Sequence, residues 1–184
     1  MLNLKTLCVS ALLLSAAAAA TTLALRSTAP QEAEAPTREH GMLMESVGEW
    51  EGTLEMMMPG MEGKFPATDT ITAFGPFWTQ SMFESDFMGM AYSGTGVMGF
   101  DPKTKKFVGT WIQNTDSSFM VMHGTMNEAG EMEMKWEAPL PGSDELVPHR
   151  STTKYTKDTY VNKFYAGEGD EEMHQMTISM KRKK

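Results

Sequence analysis

Turn signals recur 10 to 18 residues apart from Pro59 onward, and no other feature constrains the fold of this chain as tightly. They fall at Pro59-Gly60, Gly75-Pro76, Met88-Gly89, Asp101-Pro102-Lys103-Thr104, Thr115-Asp116-Ser117, Asn127-Glu128-Ala129-Gly130, Pro139 to Gly142, Lys157-Asp158 and Gly167-Glu168-Gly169-Asp170. Between them apolar and polar residues alternate, most cleanly in Glu131-Met132-Glu133-Met134-Lys135-Trp136-Glu137, where odd positions are charged and even ones apolar. Period two puts successive side chains on opposite faces of a strand. Nine such breaks imply about ten strands, and connections this short join antiparallel neighbours. An open sheet of ten strands leaves two unpaired edges, and closure removes both. The expectation is an all-β fold, an antiparallel up-and-down β-barrel of about ten strands.

One short helix is expected ahead of the first strand, between Arg38 and Val47, with Thr37 as N-cap, Met42, Leu43, Met44 and Val47 as its apolar side and Gly48 as its stop. Upstream, Lys5 precedes an apolar run from Leu7 to Leu25 that contains A-x-A sites. Residues 1–26 therefore read as a signal peptide, or as an uncleaved anchor, since a span needs ~20 apolar residues. Residues 27–37, with Pro30 and Pro36, read as a flexible linker, and 38–184 as the barrel domain. The expected location is the periplasm or the extracellular space. The sole cysteine, Cys8, would leave with the leader, so the mature domain would have no disulfide and no thiol nucleophile. Removing Lys5 and Arg26 leaves 14 basic against 24 acidic residues. That balance argues against nucleic acid as a partner, and against a membrane for the mature domain unless the leader is retained.

The first strand opens with Val47-Gly48-Glu49-Trp50-Glu51-Gly52-Thr53-Leu54-Glu55-Met56. Trp50, Gly52, Leu54 and Met56 share a face. In the last strand His174, Met176, Ile178 and Met180 share another, and Arg182 falls in phase with them. A guanidinium on an apolar face needs a partner, and Trp50 supplies a ring for cation–π stacking. Gly48, Trp50 and Arg182 are thus read as a structural latch at one end of the barrel.

Gly48-Glu49-Trp50 resembles the G-x-W signature that opens the first strand of lipocalins and related calycins, with Arg182 in the place of their late arginine. Gly94-Thr95-Gly96, the run Gly99-Phe100-Asp101-Pro102-Lys103-Thr104-Lys105-Lys106-Phe107-Val108-Gly109-Thr110-Trp111-Ile112, and Ile178-Ser179-Met180-Lys181-Arg182-Lys183 are similar to the bacterial domain-of-unknown-function 1579 family. The resemblance runs from about His40 to the C-terminus. It implies a barrel of the lipocalin or fatty-acid-binding-protein kind and assigns no activity. Relatives place an acidic residue directly after the Trp-x pair, where this chain has Gln113-Asn114-Thr115-Asp116.

Methionine is over-represented, with 19 in the chain. Several stand as M-x-M: Met56 with Met58, Met88 with Met90, Met120 with Met122, and Met132 with Met134. Such pairs fill a core, line an adaptable apolar cavity, or offer thioethers to a soft metal such as Cu(I) at Met56-Met57-Met58-Pro59-Gly60-Met61. The histidines His40, His123, His149 and His174 form no metal-ligand spacing, and only His123 and His174 read as strand-borne. No G-x-S-x-G elbow is present, Glu84 and Asp86 read as solvated surface, and Gly94-Thr95-Gly96-Val97-Met98-Gly99 lacks the helix that a dinucleotide fingerprint requires. No catalytic residue, cofactor or metal ligand is assigned. The function expected is binding of a small hydrophobic molecule in the barrel cavity, walled by Leu54, Met56, Met132, Met134, Trp136, Met176 and Ile178. The alternative is a Met-rich, Cu(I)-binding protein of the periplasm.

Overall fold

The computed structural model describes residues 34–87 and 89–184. The expected leader, most of the expected linker, Cys8, and Met88 of the Met88/Met90 pair lie outside the described residues. A helix, α1 (Arg38–Glu45), leads into β1 (Gly48–Met56), β2 (Gly63–Phe74), β3 (Trp78–Phe87), β4 (Met90–Asp101) and β5 (Lys106–Gln113). There follow β6 (Met120–Met126), β7 (Met132–Pro139), β8 (Leu146–Tyr155), β9 (Thr159–Ala166) and β10 (Met173–Arg182). The expected breaks fall at strand ends or between strands, with Asp101 closing β4 and Pro139 closing β7. All pairings are antiparallel, each strand pairs with its chain neighbours, and β1 also pairs with β10, which closes the barrel.

The β4–β5 turn illustrates how local chemistry fixes a reversal. The Asp101 carboxylate accepts from the Lys103 N–H at 2.9 Å and the Thr104 hydroxyl at 2.8 Å, and Lys105 completes the bend at φ 56°. The hydrogen bond from Thr104, then the one from Lys103, holds the Asp101 carboxyl below the ordinary carboxylate range.

The helix ends at Glu45, two residues short of the sequence expectation. Ser46 ends it rather than Gly48, because both its N–H (3.0 Å) and its hydroxyl (2.6 Å) turn back onto the Leu43 carbonyl. At the other end His40 Nδ1 accepts from the Thr37 N–H at 2.9 Å, and the opposite ring nitrogen donates to the Phe100 carbonyl at 3.0 Å. His40 is buried between Phe77 and Phe100, and Leu43 packs with Phe107, Met132 and Met134. A buried imidazole on the helix therefore does what the expected run of apolar residues alone could not: it ties the helix to β4.

Trp50 and Arg182 are direct cross-strand partners. The guanidinium lies 4.1 Å above the indole, Nη1 donates to the Val47 carbonyl (2.7 Å), Nη2 to Glu45 (2.8 Å) and Nε to Lys157 (3.0 Å). Trp50 is fully buried, its indole N–H donates to the Ser46 carbonyl at 2.9 Å, and its ring meets Tyr160 edge-on. The cation thus satisfies carbonyls left open by the end of α1 and complements the negative end of that helix. Gly48 makes room, since a Cβ there would lie 2.3 Å from Arg182 Nη1. Lysine reproduces the charge without the three-way fork. Arg182→Lys is expected to lower unfolding stability by about 1–3 kcal/mol, read as a reduced urea midpoint at unchanged slope; an unshifted midpoint would make the latch ornamental.

Candidate functional site

The pleat fixes which side chains enter the barrel. From β1 to β10 the inward set includes Trp50, Leu54 and Met56; Phe65, Ala67, Asp69 and Ile71; Phe83, Ser85 and Phe87; Tyr92 and Met98; Phe107 and Trp111; Met122; Met132, Met134 and Trp136; His149, Ser151 and Thr153; Tyr160, Asn162 and Phe164; and Met176, Ile178 and Met180. Burial along this set is graded. Near α1 Trp50 is at 0% and Phe107 and Met134 each at 2% exposure, although Met98 there is half-buried. At the opposite end Met56, Phe65, Phe87, Tyr92, Trp111, Met122, Trp136, Phe164 and Met176 face inward yet are only half-buried. That end is the mouth.

The seven side chains expected to wall a cavity all fall on the inward phase, but they divide. Leu54 and Ile178 belong to the cluster around Trp50, Ile71, Phe83 and Tyr160, with Met56 and Met176 packed against it. Met132 and Met134 belong to the separate cluster under α1. Trp136 stands higher, stacked on His149 at 5.5 Å and edge-on to Phe164 at 6.3 Å. Of the methionine pairs, Met132/Met134 and Met120/Met122 each lie within one strand. Met58 does not share the face of Met56, because β1 stops at Met56 and Met58 sits in the following turn.

Polar groups inside the barrel were not foreseen. Asp69 is buried among Trp50, Tyr160 and Ser81; Oδ1 accepts from the Ser81 hydroxyl at 2.6 Å and Oδ2 from the Tyr160 hydroxyl at 2.8 Å. Burial raises the Asp69 carboxyl above its ordinary range, against the two hydrogen bonds that lower it. Burial likewise drives the Tyr160 phenol up, with Asp69 adding to the shift. On β9 the side-chain oxygen of Asn162 is buried without a hydrogen-bond partner. His149, which the sequence did not mark as strand-borne, is the buried inward histidine; Nδ1 donates to the Val147 carbonyl at 2.9 Å, which leaves Nε2 as the acceptor. The two expected strand histidines do not enter. His123 is exposed, and a register shift at the start of β10 sends His174 against Tyr165 on the outer face, beside the Arg150–Glu172 pair at 2.6 Å.

A sequence signal existed for two of the missed groups. Asp69 lies in phase between Ala67 and Ile71, and Asn162 between Tyr160 and Phe164. The β8 run His149-Arg150-Ser151-Thr152-Thr153 has no apolar alternation, so nothing local gave its inner face away.

At the mouth a hydrogen-bonded chain fixes the rim. Trp111 Nε1 donates to the Tyr92 hydroxyl at 3.3 Å, that hydroxyl donates to Gln113 Oε1 at 2.9 Å, and the Gln113 amide donates to Asp116. Gly94 and Gly96 belong to this arrangement and not to a phosphate loop: the Trp111 ring lies flat across both, where a Cβ would come within 2.3 Å and 2.7 Å of it. Two surface clefts are also present. One of about 380 Å3 lies beside α1, lined by Thr37, Glu39, Phe100, Lys105, Phe107 and Met126. The other, about 660 Å3, crosses β1–β4 and includes Glu51, Thr68, Glu84, Asp86, Tyr92 and Lys181. None of the seven expected wall residues lines either cleft. Among the described residues no group of three or more His, Cys, Asp or Glu side chains converges to hold a metal ion.

A family model described as "Protein of unknown function (DUF1579)" matches residues 35–182. Among solved structures, the "Crystal Structure of Rv2717c from M. tuberculosis" is similar at a TM-score of 0.61 and 11% identity, covering 82% of this chain and 100% of that one. At that identity the likeness concerns the fold alone. No curated protein matches the sequence.

The buried carboxyl makes stability pH-dependent in a definite direction. Because its folded pKa is raised, the stability linked to Asp69 is whole below the ordinary carboxylate value of ~3.9 and is lost as pH rises through the folded value. Asp69→Asn keeps an acceptor for Ser81 and removes the titration. Thermal melts should show the variant gaining on the native protein from pH 4 to pH 8; a constant difference across that range would mean that Asp69 does not titrate as its burial requires.

Proposed function

The chain belongs to the DUF1579 family of proteins of unknown function, and from that premise we propose that it is a non-enzymatic binder of a small hydrophobic ligand, held in the barrel above Leu54, Ile178 and Tyr160. The observation that carries this reading is the gradient of burial. One end is stopped by α1, Trp50 and Arg182, and at the other inward aromatic and thioether side chains pack on the core yet stay half-buried. Pockets for apolar ligands are concave and lined by such side chains, with a few polar groups to fix orientation. Phe65, Phe87, Trp111, Trp136, Phe164 and Met176 supply the lining, and Met side chains adapt their shape to different guests. With the leader read from residues 1–26, binding would take place in the periplasm or outside the cell.

The test uses Nile red, a neutral apolar dye that brightens on leaving water. Saturable binding at one dye per chain is expected. Ala138, on the inward phase of β7 one step beyond Trp136, is half-buried at the mouth. Ala138→Trp should block entry and weaken dye binding at least tenfold with the fold intact by circular dichroism. Equal binding by that variant, or no saturable binding by the native protein, would end the interior-ligand reading.

A further inference from the structure

The charge distribution of the wall narrows the class of ligand. Every strand lysine faces outward and is exposed: Lys64, Lys106, Lys135, Lys154, Lys163 and Lys181. The two half-buried arginines are committed elsewhere. Arg150 is on the outer face, forked onto Glu172 and 3.9 Å from Glu133, and Arg182 holds three backbone carbonyls at the closed end. No cation therefore reaches the interior from the described strands, and the charged group that does, Asp69, is an acid. An anionic head brought into this space would lose its water with no counter-charge in return, next to a carboxyl.

One group inside calls for a hydrogen bond. Asn162 stands between Tyr160 and Phe164 on the inner face of β9, opposite Ile178 on β10 and Thr153 on β8. Its buried side-chain oxygen has no partner, which is costly in a folded protein and is relieved by a ligand that donates there. The position suits a head group. Asn162 lies four residues, or about 13 Å of strand, below Ala166, the buried last residue of β9. Between them on the same face stands Phe164, edge-on to Trp136, and below Asn162 the Tyr160 hydroxyl donates to Asp69. An apolar chain entering from the mouth would run along the aromatic side chains and deliver its head to Asn162. A cationic head is not called for, because both Asp69 oxygens already accept hydrogen bonds.

We infer that the barrel takes an apolar chain ending in a neutral hydrogen-bonding head, a hydroxyl or an amide, docked on Asn162, and that it turns away carboxylates. This rests on the interior-binding reading above and sets the protein apart from a carrier of free fatty acids, whose head would demand an inward arginine or lysine.

The experiment titrates the native protein loaded with Nile red, at pH 8, with 1-dodecanol and with dodecanoate, two ligands of equal chain length and different heads. Dodecanol should displace the dye at a concentration at least tenfold lower than dodecanoate. In Asn162→Leu, the preference for dodecanol over dodecanoate should shrink about tenfold. Dodecanoate competing as well as dodecanol overturns the inference and leaves the binding reading standing, as does an Asn162→Leu variant that folds and keeps the native preference. If Nile red fails to bind, the binding reading falls and takes the inference with it. Should Asn162→Leu not fold, the ratio measured on the native protein decides alone.

Discussion

The stacking of Arg182 on Trp50 is the interaction on which the rest of the architecture hangs. It joins the first strand to the last at the seam where the sheet closes, and it does so with a charge that also satisfies the carbonyls at the end of α1 and one from the β8–β9 turn. A guanidinium can stack and donate in its own plane at once, so one side chain fixes the seam, the helix and a loop together. The indole beneath it is fully buried and carries its own hydrogen bond to Ser46. Sealing of that end follows from this arrangement, and the asymmetry between the ends follows from the sealing.

That asymmetry organises the interior chemically. The closed end holds the fully buried Trp50 and the Asp69–Tyr160–Ser81 hydrogen bonds, while the other end is ringed by half-buried aromatic and methionine side chains and braced by the Trp111–Tyr92–Gln113 chain. Charge is segregated as well: the basic residues of the strands face outward, several of them paired with carboxylates such as Glu51, Glu133 and Glu172. Among the described residues the interior holds a carboxyl, an amide and an imidazole but no cation, a different chemistry from a barrel built around a buried arginine. Fold therefore sets where a ligand could sit, and the identity of a few inward polar residues sets what kind.

Much of the fold was legible because its signals are local. Turn residues at Pro59-Gly60, Gly75-Pro76 or Asn127 to Gly130 act on their own few neighbours, and period-two alternation reports a pleat without reference to other strands. The membership of Arg182 in an apolar phase was readable for the same reason. The interior was less legible. His149, Ser151 and Thr153 make a polar inner face on β8, where alternation carries no signal, and His174 left its expected face because a register shift early in β10 breaks the period. The helix boundary was missed by two residues, since Ser46 competes for the Leu43 carbonyl in a way that composition does not reveal.

The sequence by itself determined the number of strands, their antiparallel order, the closure of the sheet and the pairing of Trp50 with Arg182, all of which follow from periodicity, turn chemistry and the intolerance of an apolar face for a lone charge. Only the tertiary structure decided which end is stopped, which of the inward methionines are locked in the core, and that Asp69, Asn162 and His149 all stand on the inner face of the barrel. These depend on residues brought together across the barrel from positions as distant as 69 and 160. Contacts of that span leave no periodic trace in the chain, because they arise from where strands meet and not from how any one strand alternates.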